Sequence, residues 1–136
     1  MKKEIKLIDF QAHIDDRGSL VVIEELKSIP FSPKRIFYTF NVNDDKTRGN
    51  HANINSEFVM VAVKGSVKID IDDGKKKYSY VLDDPTKGLY IPNLTWKTMS
   101  EFSKDAVLMV IANTLYDKSE YINDYDEFIK YLKTRK

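Results

Sequence analysis

The sequence predicts an all-β protein, a sandwich or barrel of short antiparallel strands closed by one C-terminal α-helix. Three observations carry this. Short apolar, β-branched runs recur along the chain with turn signals between them. An Asp73-Gly74 pair between two alternating runs marks a tight hairpin. Beyond residue 119 the apolar spacing changes from that of a strand to that of a helix.

The elements follow in order. The turn signal Asp15-Asp16-Arg17-Gly18 precedes a first β-branched run over residues 20–25. Residues 35–42 alternate around Ile36, Tyr38 and Phe40 and break at Asn43-Asp44-Asp45. Residues 58–63 are continuously apolar, as expected of a strand buried on both faces. Gly65 allows a bend, and residues 66–72 turn Val67, Ile69 and Ile71 inward. After the hairpin come residues 77–82, a turn over 83–88, a short strand over 89–92 and an apolar run over 106–112. Tyr121, Ile122, Tyr125, Phe128, Ile129 and Leu132 form one stripe of a helix expected over about 119–133, with Asp117 or Ser119 as N-cap. Lys130, Lys133, Arg135 and Lys136 suit the negative end of its dipole, a better account of these cations than contact with nucleic acid. No repeat, linker or low-complexity tract divides the 136 residues, so a single domain over 1–136 is expected.

Composition narrows the function classes. The 22 Lys and Arg nearly cancel the 21 Asp and Glu, so no global field favours nucleic acid or membrane. An anionic ligand must then be held by a local cluster of cations. Cysteine is absent, which removes disulfides, zinc thiolates and thiol nucleophiles from consideration. Residues 1–10 are charged and alternating rather than apolar, and no run reaches the roughly 20 apolar residues of a membrane span. A cytoplasmic location is the expectation.

The chemistry concentrates in Arg48-Gly49-Asn50-His51-Ala52-Asn53, followed by Glu57 and Gly65. This resembles the first cupin motif, and Gly88, Pro92 and Trp96-Lys97 resemble the second, with Lys97 where a histidine would stand. The resemblance implies a jelly-roll β-barrel. Metal-binding cupins hold a divalent ion with three imidazoles and a carboxylate. Here the set is reduced to His51 and Glu57; Asn53 is a weak ligand, and a cationic Lys97 would repel a dication. No metal and no cofactor are expected, which leaves His51 free as an acid or base. One imidazole beside cations suits proton abstraction next to a carbonyl, where Arg17, Arg48 or Lys97 stabilises the enolate oxygen or holds a pyrophosphate.

The runs Asp16-Arg17-Gly18, Ile29-Pro30-Phe31-Ser32, Arg35-Ile36-Phe37-Tyr38, Arg48-Gly49-Asn50-His51-Ala52 and residues 121–128 resemble the dTDP-sugar 3,4-ketoisomerases among the WxcM-like cupins. That resemblance implies a homodimer with exchanged N-terminal strands and dTDP-4-keto-6-deoxyglucose as substrate. It implies His51 as the base that takes the proton from carbon 3 and helps return one to carbon 4. Relatives commonly carry a second histidine where this chain has Asn53, and some carry one at the place of Lys97. The second proton donor is therefore open between Lys97 and Tyr38. An arginine at position 17 goes with relatives that form the galacto product, dTDP-3-keto-6-deoxygalactose. Substrate contacts are expected from Arg48, Asn53, Phe37 and Trp96, although aromatic strand residues such as Trp96, Tyr90 and Phe37 equally suit a core. His13, beside a turn, is assigned no role. Two other readings compete: a dTDP-sugar 3,5-epimerase, for which a His-Asp pair is wanting, and a non-catalytic cupin that binds nucleotide sugars.

Overall fold

The structure is a computed structural model that describes residues 3–43 and 45–135. Asp44 of the expected break, Lys136 of the basic helix end and the first two residues of the charged N-terminal segment lie outside the described residues. Among the described residues twelve strands run in order: β1 (Lys6–Asp9), β2 (Ala12–Asp15), β3 (Gly18–Val21), β4 (Arg35–Phe40), β5 (Arg48–Asn53), β6 (Phe58–Lys64), β7 (Val67–Asp72), β8 (Lys77–Leu82), β9 (Lys87–Ile91), β10 (Trp96–Ser100), β11 (Val107–Ala112) and β12 (Tyr121–Ile122). The helix α1 (Tyr125–Thr134) follows. One antiparallel sheet has the order β1-β9-β6-β11-β4, the other β12-β5-β10-β7-β8, and β2-β3 form a separate hairpin. The two larger sheets share one core, the jelly-roll arrangement the cupin resemblance implied.

Side-chain alternation decides what each sheet contributes to that core. Phe58, Met60 and Ala62 of β6 and Leu108 and Val110 of β11 meet Val67, Ile69 and Ile71 of β7 between the sheets. Their neighbours Val59, Val61 and Ile111 point the other way, under Phe10, Ile29 and Phe31. This second layer is why β6 reads as an unbroken apolar run. Gly88 belongs to the same packing, because a Cβ there would meet the Phe10 ring at 2.7 Å. A third cluster joins Ala52, Ile122 and Trp96 on the outer face of the second sheet to Phe128, Ile129 and Leu132 of α1.

Three expectations are corrected. The first apolar run pairs only through Val21, in a hairpin with β2, rather than as a strand over residues 20–25. The helix begins at Tyr125, not near residue 119: Asp124 is its N-cap, accepting from the Asp126 and Glu127 N–H groups at 2.8 and 3.1 Å. With Asp126 and Glu127 in the first turn, that site is electrostatically the better start. Asp117 instead caps a 3-10 turn over Lys118–Glu120, and Tyr121 and Ile122 form β12 against Asn53 and Ala52. Their apolar spacing matched the helical stripe only because strand and helix hand over within three residues.

Phe128 is fully buried beneath α1. Its replacement by alanine should cost about 3–5 kcal/mol. Urea unfolding would measure this; a loss below about 1 kcal/mol would mean that the helix is not anchored there.

Candidate active site

β5 and β10 bring the motif residues together. Lys97 lies opposite His51 across that pair and opposite Ile71 across the other, so His51 and Lys97 share the inner face of the sheet. Gly49 makes the approach possible. Its φ is +85°, and a Cβ there would come within 2.9 Å of the Lys97 carbonyl oxygen. Gly49 and Asn50 (φ +59°) both take left-handed backbone where the β5–β10 register shifts.

Lys97 is 2% exposed, with its ammonium 4.9 Å from the centre of the Phe58 ring. It donates to Asn53 Oδ1 at 3.0 Å and to the Thr95 carbonyl at 3.3 Å. Asn53 in turn donates through Nδ2 to Glu120 Oε2 at 3.2 Å. Glu120 can only accept and a protonated Lys97 can only donate, so the Asn53 amide has one orientation. The carboxylate of Glu120 also accepts from the Asn55 and Ser56 N–H groups, both at 2.8 Å, and from the Ser56 hydroxyl. Burial raises the proton affinity of Glu120, but these hydrogen bonds, that of the Ser56 side chain first, outweigh it and keep it ionised. The His51 ring packs on Tyr121 at 4.9 Å between centroids.

Burial lowers the Lys97 pKa to about 7, opposed by the Glu120 carboxylate. Burial also lowers the His51 pKa to about 4, helped by the Lys97 charge. Near neutral pH the imidazole is therefore in its base form beside a lysine poised between its two states. That pairing can remove one proton and supply another.

The other candidates fall in different places. Phe37 shares the inner face of β4 and meets Phe58 edge-on at 6.3 Å. Trp96, adjacent to Lys97, must point outward, and it packs on Tyr125 and Phe128 beneath the helix; it is core, not a substrate contact within this chain. Asn53 is wholly buried and spends both ends of its amide on Lys97 and Glu120, so it positions Lys97 rather than offering itself to a ligand. Tyr38 lies on the outer face of β4, 63% exposed and stacked on Phe40. Arg17 stands at the tip of the β2–β3 hairpin, paired with Asp15 at 2.6 Å. Arg48 is exposed at the start of β5, before the bulge. Within one chain neither Arg17 nor Tyr38 joins the inner cluster.

Glu57 also departs from the motif reading. It accepts from the Tyr90 hydroxyl at 2.6 Å and from Lys3 at 2.7 Å, with Val59 and Tyr90 on the outer side of the first sheet. His51 is left with Asn53 and a buried cation, a donor set that does not fit a divalent ion. Among the described residues no three His, Asp or Glu side chains come together as a metal site. A cavity of about 1000 Å³ lies elsewhere, lined by Ile5, Gly74, Tyr78 and Leu132, and His51 does not border it.

Sequence reasoning missed Glu120, Tyr121 and Arg35. Glu120 and Tyr121 were hidden inside the expected helix. Arg35 opens β4 on its inner face, opposite Ala112, with its guanidinium 5.2 Å from the Phe37 ring centre and 5.7 Å from that of Tyr116. Its Nε and Nη2 are buried with no hydrogen-bond partner among the described residues.

Comparison with known proteins agrees in scale with this geometry. Residues 3–133 match the family model described as FdtA: WxcM-like, C-terminal. A TDP-4-oxo-6-deoxy-alpha-D-glucose-3,4-oxoisomerase from Aneurinibacillus thermoaerophilus is 46% identical over 129 residues, covering 95% of this chain and 93% of that one. A 3,4-ketoisomerase from Helicobacter canadensis superposes with a TM-score of 0.94 at 40% identity, over 97% of this chain and 99% of the other. A histidine-to-asparagine mutant of the 3,4-ketoisomerase QdtA from Thermoanaerobacterium thermosaccharolyticum, in complex with TDP-4-keto-6-deoxyglucose, superposes with a TM-score of 0.93 at 37% identity, over 99% and 98%.

Proposed function

The chain belongs to the FdtA family of WxcM-like C-terminal domains, and from that premise we propose how it works as an isomerase. It is a TDP-sugar 3,4-ketoisomerase acting on TDP-4-keto-6-deoxyglucose. The observation that carries the mechanism is His51 facing the buried side chain of Lys97 across one strand pair; burial there lowers the proton affinity of both groups and favours the base form of the imidazole.

The 4-keto group acidifies the hydrogen on carbon 3. His51 takes that proton, and the electron pair flows to the carbon 4 oxygen, giving an enediolate. The carbon 3 hydroxyl then gives up its proton as its oxygen becomes the ketone, and the carbon 4 oxygen gains one. Carbon 4 receives a proton, and the sugar leaves with its formula unchanged. Lys97 stabilises the enediolate oxygen and shuttles the proton between the two oxygens. No step calls on a metal or organic cofactor.

Hydrogens on carbons 3 and 4 lie on the same ring face in a galacto sugar and on opposite faces in a gluco sugar. A single imidazole that takes and returns the proton on one face yields TDP-3-keto-6-deoxygalactose. This reading places the enzyme in the cytoplasm; among the described residues no helix is long and apolar enough to cross a membrane. It works as a homodimer with exchanged N-terminal strands. The exposed Ile14 and Leu20 of the hairpin and Ile36, Tyr38 and Phe40 of the edge strand β4 support such an interface. Across it Arg17 and Tyr38 would reach a site that their own chain does not bring them to.

Incubation with TDP-4-keto-6-deoxyglucose in deuterium oxide, followed by NMR, tests the reading. A ketone at carbon 3 and galacto configuration at carbon 4 are expected, with deuterium at carbon 4 in those turnovers in which the imidazolium exchanges its proton with solvent before returning it. Deuterium at carbons 3 and 5 with the ketone still at carbon 4 would identify a 3,5-epimerase instead. A gluco product would overturn the one-face argument, and binding without turnover would leave only a carrier.

A further inference from the structure

We propose that Glu120 is the positioning residue of the catalytic pair: through the Asn53 amide it aims the Lys97 amine, and its carboxylate is the counter-charge of the ammonium form. The role of Lys97 in turnover rests on the ketoisomerase reading; the coupling between the two groups does not. Glu120 comes from the 3-10 turn after β11, far in sequence from β5 and β10, and is 3% exposed. A buried carboxylate is unfavourable unless it is hydrogen-bonded. Here the Asn55 and Ser56 N–H groups, the Ser56 hydroxyl and Asn53 Nδ2 all donate to it. Two of these donors belong to the backbone, so the carboxylate cannot turn from Asn53 without leaving them unsatisfied.

The relay decides which proton of Lys97 can move. Asn53 Oδ1 and the Thr95 carbonyl are acceptors only, so they hold two N–H groups of Lys97 in either of its protonation states. What changes between the states is the third position on Nζ, which carries a proton in the ammonium and a lone pair in the amine. Proton donation and acceptance are thereby confined to one direction, the one left for a substrate oxygen. Reversing the Asn53 amide would turn Nδ2 toward Lys97 and Oδ1 toward Glu120. A neutral amine could accept from Nδ2, but two facing oxygens at Glu120 could not share a hydrogen bond, so the carboxylate holds the amide even when Lys97 has lost its proton.

The groups around Lys97 offer one counter-charge. β7 presents Ile71 and β6 presents Phe58, both apolar. β5 presents His51, with Tyr121 of β12 packed on the imidazole. Arg35 of β4 lies beyond the Phe37 and Phe58 rings and has the same sign as the ammonium. Among the described residues Glu120 is the acid joined to this cluster. Its charge opposes the effect of burial on Lys97, and on His51 as well.

The test compares wild type, Glu120→Gln, Ser56→Ala and Asn53→Leu as intact chains. NMR of carbon-labelled lysine side chains reads the Lys97 titration, and kcat/KM is followed against pH. The Lys97 signal is the one missing from Lys97→Met. In Glu120→Gln its midpoint should fall by about one pH unit, the lower end of what a nearby opposite charge contributes. The alkaline limb of kcat/KM should move with it, so the loss of turnover should be about tenfold larger near pH 8 than near pH 5. Ser56→Ala loosens the same turn but keeps the charge, and its midpoint should stay that of wild type. Asn53→Leu keeps the charge and cuts the relay, so kcat should fall about tenfold or more while TDP affinity stays within about twofold. An unmoved midpoint in Glu120→Gln, or a loss of turnover equal at every pH, would overturn the proposal. So would a midpoint that falls as far in Ser56→Ala, since loosening of the turn would then be the cause. If Glu120→Gln does not fold, Asn53→Leu decides, and an unchanged kcat there rejects the relay. If wild type leaves the sugar unchanged while the Glu120→Gln midpoint falls, the ketoisomerase reading fails and the coupling stands. If it isomerises the sugar and the midpoint stays, the reading stands and the proposal fails.

Discussion

Replacing His51 by asparagine should lower turnover of TDP-4-keto-6-deoxyglucose by about 10²–10⁴-fold, the usual worth of a positioned general base. TDP binding should stay within about twofold, because no phosphate contact is removed. The chain has two histidines, and the other, His13, sits exposed on the hairpin strand β2, so no imidazole can substitute. Asparagine keeps a polar group of similar reach beside Tyr121. With a pKa near 4 while Lys97 is charged, His51 is in its base form throughout the neutral range. The low value also limits its strength as a base. Negative charge developing on the enediolate counters the Lys97 repulsion and raises the proton affinity of the ring during the step in which it must accept a proton. Calorimetry with TDP and NMR-monitored turnover on the same preparation separate the two effects. Turnover within about tenfold of wild type would remove His51 from the chemistry.

The inner cluster was half visible in the sequence, and the reason is strand alternation. Once His51 is placed inward, Asn53 must follow it, and Lys97 must face away from its neighbour Trp96. Which of Trp96 and Lys97 enters the barrel depends on the pairing register of β5 and β10, and a one-residue slip exchanges them. The sequence assigned both to the site; the register admits Lys97 and sends Trp96 beneath α1. Tyr38 stays outside its own chain's cluster for the same reason, since Arg35, Phe37 and Thr39 hold the inner face of β4. The barrel itself was legible because β6 and β7 carry their burial in plain apolar patterns. β5 and β10 were not read as strands, since Arg48-Gly49-Asn50-His51-Ala52-Asn53 and Trp96-Lys97-Thr98-Met99-Ser100 mix polar residues into the buried face for chemistry rather than stability. Glu120 was hidden by a different mechanism. Its fully hydrogen-bonded carboxylate looks like any surface acid until the 3-10 turn folds it onto the Asn55 and Ser56 amides.

Replacing Lys97 by methionine should reduce kcat by about 10²–10³-fold, as expected for removal of one group that stabilises a developing oxyanion. The pH dependence supplies the sharper evidence. A general acid must carry its proton, so wild-type kcat/KM should fall as pH rises through about 7, where buried Lys97 is neutralised. A base must be free, so it should fall again as pH drops through about 4, where His51 is protonated. In Lys97→Met the alkaline limb should vanish. The acid limb should move upward, toward the ordinary imidazole value, because the repelling ammonium is gone while the Glu120 carboxylate remains. Stability should respond in the opposite sense. In wild type the unfolded lysine binds a proton that the folded one lacks between about pH 7 and 10.5, so stability rises with pH across that window. The methionine variant should lose that slope. Rate profiles and urea midpoints from pH 4 to 10 read both effects. An alkaline limb that survives the substitution would assign that ionisation to another group and leave Lys97 with a structural role only.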